Sequence, residues 1–85
     1  MAQTSTPDLI MYGTTWCPDC TRSKRLLDRH QVPYRWINID EDPDAAALVM
    51  RLNRGRRIVP TLVFPDGSLL AEPSDAQLAR QLGLT

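Results

Sequence analysis

What the chain is short of narrows its function before any motif is read. Its 85 residues carry no excess of either charge, ten Lys+Arg against ten Asp+Glu. A bulk cationic surface for DNA, RNA or anionic lipid is therefore excluded as its main theme. It has no long apolar run: Ala45 to Met50, the longest, is six residues, where a bilayer span needs about 20. Met1 to Pro7 shows neither a cationic n-region nor an apolar h-region, so no signal peptide and a cytoplasmic location are expected. Only two cysteines occur, Cys17 and Cys20, too few for the disulfide framework of small secreted domains. Structural zinc wants four ligands, and beyond those two the chain offers one histidine, His30, and carboxylates. No metal site is expected, and His30 reads as a surface or interhelical residue. The length allows one domain with one core: a disordered lead-in over 1–7, then a single domain over 8–85.

What is present reads as alternating strands and helices. Leu9-Ile10-Met11-Tyr12, a short apolar run stopped by Gly13, suits a buried strand. A helix is expected over about 18–30, with Pro18 in its first turn, Asp19 beside it, Arg29 and His30 in its last turn and Pro33 beyond. Tyr34 to Ile39 alternates as a second strand, with Tyr34, Trp36 and Asn38 on one face and Arg35, Ile37 and Ile39 on the other. Trp36 is expected in the core. A second helix follows the acidic run Asp40–Asp44, with Arg51 and Arg54 in its last turn and Gly55 as its C-terminal stop. Thr61–Phe64 and Ser68–Glu72 flank Pro65-Asp66-Gly67 and form a hairpin. Ser74 caps a last helix over 75–82, ended by Gly83. The order is β-α-β-α-β-β-α. Its βαβ unit requires a parallel pair with a right-handed crossover, and the hairpin makes the sheet mixed. The fold class is α/β, four strands flanked by three helices.

The Cys17-Pro18-Asp19-Cys20 motif falls where the first strand gives way to the first helix. A cysteine at a helix N-terminus meets unpaired N–H groups and the positive end of the dipole, which favour thiolate. In such motifs the pKa falls from about 8.5 to roughly 3.5–7.5. Three residues on, Cys20 lies beneath Cys17 on the same helix face, within disulfide reach. Cys17 is expected to attack and Cys20 to resolve the mixed disulfide. Pro18 stiffens the turn and removes one N–H. The charge of Asp19 opposes thiolate formation, while Lys24 and Arg22 favour it. Trp16, beside Cys17, is expected at the exposed rim of the site, shielding the thiol. Pro60, after Val59, is either a cis residue that frees the Val59 backbone for an extended substrate or an ordinary first residue of an edge strand. Arg22, Lys24, Arg25 and Arg29 form one basic group and Arg51, Arg54, Arg56 and Arg57 another. Of these, Arg57 is expected to face substrate, being close in the chain to Val59-Pro60.

Thr15-Trp16-Cys17-Pro18-Asp19-Cys20, Val59-Pro60-Thr61 before a Pro-Asp-Gly hairpin, and Pro73-Ser74-Asp75 opening the last helix together resemble the glutaredoxins of the thioredoxin superfamily. The run Asn53 to Thr61 and the segment Phe64 to Ser68 resemble most the small actinobacterial mycoredoxin type. The likeness covers residues 9–82. It implies a thioredoxin fold and a thiol–disulfide oxidoreductase, with Cys17 the nucleophile and Cys20 the resolving thiol. It implies further that Pro60 is cis, that the Val59 backbone holds the substrate cysteine, and that Arg57 attracts a carboxylate of a thiol cosubstrate. Ser74 and Asp75 match the place that holds the γ-glutamyl end of glutathione. The implied cosubstrate is a low-molecular-weight thiol, mycothiol or glutathione, and the implied partners are disulfide-containing proteins, the chain acting as a monomer with no bound cofactor. Two positions depart from the pattern. Asp19 stands where a tyrosine is usual, and Thr14 where many members have lysine. These departures leave mycothiol, bacillithiol or a protein reductant open. A second reading is a thioredoxin-like electron donor reduced by a flavoprotein reductase, of the type that serves ribonucleotide reductase. A third is a module holding an iron–sulfur cluster through Cys17, which Pro18 disfavours.

Overall fold

The computed structural model describes residues 9–84; the lead-in expected over 1–7 lies outside the described residues. Strand β1 (Ile10–Gly13) leads through helix α1 (Pro18–Arg29) to β2 (Arg35–Asn38), and helix α2 (Pro43–Leu52) follows. Strands β3 (Thr61–Val63) and β4 (Leu69–Ala71) then form the hairpin, and α3 (Asp75–Leu82) closes the order. The sheet order is β2-β1-β3-β4. β1 pairs in parallel with β2, Ile10 opposite Arg35 and Gly13 opposite Asn38, and antiparallel with β3, Met11 opposite Leu62. β3 and β4 are antiparallel, Leu62 opposite Leu70. This is the mixed sheet that the order of elements implies and the thioredoxin fold that the resemblance implies.

The period of two in β1 divides the core. Leu9 and Met11 point to one face and pack with Leu26 and Leu27 of α1, Leu62, Phe64 and Leu78 of α3. Tyr12, opposite to them in phase, points to the other and packs with Ile39, Ala45 and Val49. Helices α1 and α3 therefore cover one face of the sheet and α2 the other. The alternation in β2 obeys the same rule: Tyr34 and Trp36 pack against the first cluster, Ile37 against the second.

Local capping sets the helix ends. Asp42 caps α2 by accepting from the Ala45 N–H at 3.0 Å. Ser74 caps α3 with a complete capping box, its hydroxyl accepting from the Gln77 N–H at 3.1 Å while Gln77 Oε1 accepts from the Ser74 N–H at 2.8 Å. Gly83 ends α3 in the left-handed region, φ 73°. The stop of α2 differs from expectation: the helix ends at Leu52, Asn53 is its C-cap, and Arg54 lies beyond the last turn at φ 58°. The reason is the Asn53 side chain, which donates to the Val49 carbonyl at 2.8 Å and to Thr61 Oγ1 at 3.2 Å. It satisfies the last turn earlier than the Gly55 signal suggests and ties α2 to β3. His30 likewise falls just outside α1, as its exposed C-cap.

Candidate active site

The site lies at the C-terminal ends of β1 and β2, the end at which open α/β sheets gather chemistry. Cys17 is the N-cap of α1 itself, with extended backbone (φ −94°, ψ 113°) and Pro18 in the first turn. Its Sγ takes the place a capping oxygen usually holds: it accepts from the Cys20 N–H at 3.0 Å. Negative charge on this sulfur thus meets an N–H at the positive end of the helix. On its other side the thiol lies 3.8 Å from the Val59 carbonyl oxygen, to which it can donate. The Val59–Pro60 peptide is cis, and because the β3 ladder starts at Thr61, Val59 is left outside the sheet pairing.

Cys20 is 1% exposed. Burial, chiefly, and its hydrogen bond with the Cys17 side chain push its thiol up to about 12. The room it occupies exists because residue 13 is glycine: a Cβ there would lie 2.6 Å from Cys20 Sγ and within 2.9 Å of the Trp36 ring. Both cysteines are free thiols. Among the described residues no group of three or more His, Cys, Asp or Glu side chains could hold a metal ion.

Two polar clamps flank the pair. Asp40, just beyond β2, accepts from the Trp16 indole N–H at 2.8 Å through Oδ2, and through Oδ1 it pairs with Arg57. These hydrogen bonds, Arg57's first, hold the Asp40 carboxyl below the usual range. On the other side Arg22 pairs with Asp19 at 2.9 Å and Asp75 at 3.4 Å, and donates to the Pro73 carbonyl at 3.0 Å. That clamp joins the first turn of α1 to the start of α3. Lys24 sits over the Trp36 ring, its Nζ 3.7 Å from the ring centroid.

Cys17 thus touches both Cys20 and Val59. Trp16 and Arg57 meet through Asp40, and Asp19 and Asp75 meet through Arg22. Trp16 is exposed, at 65%, and Pro18 stands at the surface above the buried Cys20. The Ser74 hydroxyl is engaged in its own helix cap. Asp40 is the site residue that reading the sequence missed. Its signal is topological: it lies in the turn that directly follows β2, and β2 is the parallel neighbour of the strand that delivers Trp16.

The family model described as Glutaredoxin matches residues 9–70. Over 77 residues, 91% of this chain and 92% of the relative, the sequence is 38% identical to a Mycobacterium tuberculosis protein that carries a provisional glutaredoxin designation. It is 33% identical to mycoredoxin 1 of Corynebacterium glutamicum over 75 residues, 88% of this chain and 92% of that one. The crystal structure of a glutaredoxin from Archaeoglobus fulgidus superposes with a TM-score of 0.77 at 26% identity, covering 89% of this chain and 86% of that one.

Proposed function

Because this chain belongs to the glutaredoxin family and is a thiol–disulfide oxidoreductase, we propose that Cys17 is its nucleophile, Cys20 its resolving thiol, and a low-molecular-weight thiol of the mycothiol kind its reductant. The carrying observation is the inequality of the two sulfurs. Cys17 Sγ receives an N–H at a helix start, whereas Cys20 is sealed beneath it with its proton held to about pH 12.

Attack by the Cys17 thiolate on one sulfur of a disulfide RS–SR′ forms the Cys17–SR bond as the S–S bond breaks. The leaving R′S⁻ takes a proton from water. Two routes then return the enzyme. An external thiolate attacks the SR sulfur, leaving with R as a new disulfide and restoring Cys17. Alternatively Cys20 loses its proton and attacks Cys17 Sγ, expelling RS⁻ and closing a Cys17–Cys20 disulfide, which two external thiols later reduce. Because Cys20 is so rarely ionised near neutrality, the external route carries small mixed disulfides, and Cys20 serves protein disulfides. The Val59 backbone, outside the ladder and beside Cys17 Sγ, is positioned to pair with an extended substrate. Pro18 and Trp16 form the exposed rim, while the Pro60 ring is buried.

The choice of thiol rests on two supports. One is the 33% identity to mycoredoxin 1. The other is the start of α3: Asp75, which would meet the ammonium of glutathione, is already paired with Arg22, and the Ser74 hydroxyl is spent on the capping box. A thiol with neutral sugar ends asks nothing of either group. A reducing compartment, the cytoplasm, suits a free cysteine pair of this sort.

The deciding assay offers each reductant separately. One mixture holds NADPH, mycothiol and its disulfide reductase; the other holds NADPH and a flavoprotein thioredoxin reductase. Reduction of a mixed disulfide in the first and not in the second is expected. Turnover in the second alone would overturn the reading in favour of a thioredoxin-like donor.

A further inference from the structure

We infer that Asp40 is a specificity-determining residue: its carboxylate occupies the Arg57 guanidinium and the Trp16 indole N–H beside the thiol, and so selects against disulfides whose thiol moiety carries a carboxylate. The inference rests on the reading that Cys17 exchanges with low-molecular-weight disulfides, and it names which of them.

The contacts close a ring around the reacting sulfur. Cys17 is bonded to Trp16, Trp16 donates to Asp40, Asp40 pairs with Arg57, Arg57 is two residues from Val59, and the Val59 carbonyl returns to Cys17 Sγ at 3.8 Å. Arg57 is the cation of that ring and the indole N–H its neutral donor. Together they make a receptor for a carboxylate, and both are held by one carboxylate that the chain supplies. The two oxygens of Asp40 divide the work, Oδ2 on the indole and Oδ1 on the guanidinium, so one side chain satisfies both donors.

An anionic thiol arriving here meets two obstacles. Displacing Asp40 from Arg57 returns no net ion pair, since one carboxylate replaces another. Leaving Asp40 in place sets two like charges side by side. A neutral thiol meets neither. The pair is exposed, at 39% for each side chain, so the discrimination is of the modest size that solvent-screened charges produce. It grows as salt is lowered.

The test is single-turnover reaction of the reduced protein with two probes at low ionic strength: oxidised glutathione, which is anionic, and bis(2-hydroxyethyl) disulfide, which is neutral. The readout is the ratio of the two rate constants, followed by mass of the Cys17 adduct. Asp40→Asn keeps the shape and a carbonyl for the indole while freeing Arg57, and is expected to raise the anionic-to-neutral ratio about two- to fivefold. Adding Arg57→Gln in the Asp40→Asn background is expected to return the ratio to the wild-type value. A merely structural role for Asp40 would slow both probes alike and leave the ratio where it was. An unchanged ratio in Asp40→Asn, with both probes still reacting in the wild type, overturns the inference alone. A wild-type protein that forms a Cys17 adduct with neither probe overturns the low-molecular-weight reading and the inference with it.

Discussion

A Cβ placed on Gly13 would fall 2.6 Å from Cys20 Sγ, so the buried thiol and the last residue of β1 share one space. Trp36, on the neighbouring strand, closes the same space within 2.9 Å. Gly13→Ala is therefore an overpacking substitution with no flexible group to yield. It is expected to destabilise the fold by about 1–3 kcal/mol, read as a lower urea midpoint at unchanged m-value. A stability equal to the wild type's would show that the corner is looser than its distances say.

The division of labour between the thiols predicts unequal mutants. Cys17→Ser is expected to abolish disulfide reduction altogether, since no other sulfur reaches substrate. Cys20→Ser is expected to keep reduction of small mixed disulfides by external thiol while losing protein-disulfide reduction. Steady-state assays with a small mixed disulfide and a protein disulfide separate the two. Full activity in Cys17→Ser would refute the proposed mechanism.

Ionisation of Cys20 sets two pH dependences of known sign. Burial raises its thiol from 9.0 to about 12, so in the folded chain the proton stays on where the unfolded chain has lost it. The unfolded state then binds fewer protons, and stability falls as pH rises from about 9 towards 12, by up to about 1.4 kcal/mol per unit. Below pH 9 the contribution is fully present. Urea titrations of the reduced protein at pH 8, 9 and 10 should show the decline, and Cys20→Ser should flatten it. The closing of the Cys17–Cys20 disulfide from a mixed disulfide should also quicken steadily between pH 7 and 9 with no plateau, as stopped-flow quenching can follow. A plateau near pH 7 would mean that Cys20 ionises far more easily than its burial allows.

At the start of α3 the Ser74 hydroxyl is engaged in the capping box. Ser74→Ala is expected to cost about 1 kcal/mol of stability while leaving the KM for a neutral thiol little changed. A large rise in that KM without loss of stability would assign the hydroxyl to substrate instead.

Much of this was legible in the chain. Pro18 and Ser74 each act within one helical turn, and the helix starts they mark stand where expected. The hairpin followed from Pro65-Asp66-Gly67, with Asp66 Oδ1 accepting from the Ser68 N–H at 2.9 Å and Gly67 at φ 88°. The end of α2 was misplaced because the Asn53 side chain reaches Thr61 on β3, a partner that no window around Asn53 contains. The same holds for the charges about the thiol. The sequence sets Asp19 against Arg22 and Lys24 without naming their partners: Arg22 pairs with Asp19 and Asp75, and Lys24 sits on Trp36.

By itself the sequence determined the spacing of the cysteine pair, its place at a strand–helix junction and the order of elements, because spacing, caps and turns act over three or four residues. Only the tertiary structure decided which charges are free. Asp40 reaches Trp16 and Arg57 because β2 lies beside β1, and Arg22 reaches Asp75 because α1 and α3 cover the same sheet face. Such pairings depend on which strand ends are neighbours in space, and a carboxylate binds whichever cation the fold brings within reach, however far away it stands in the chain.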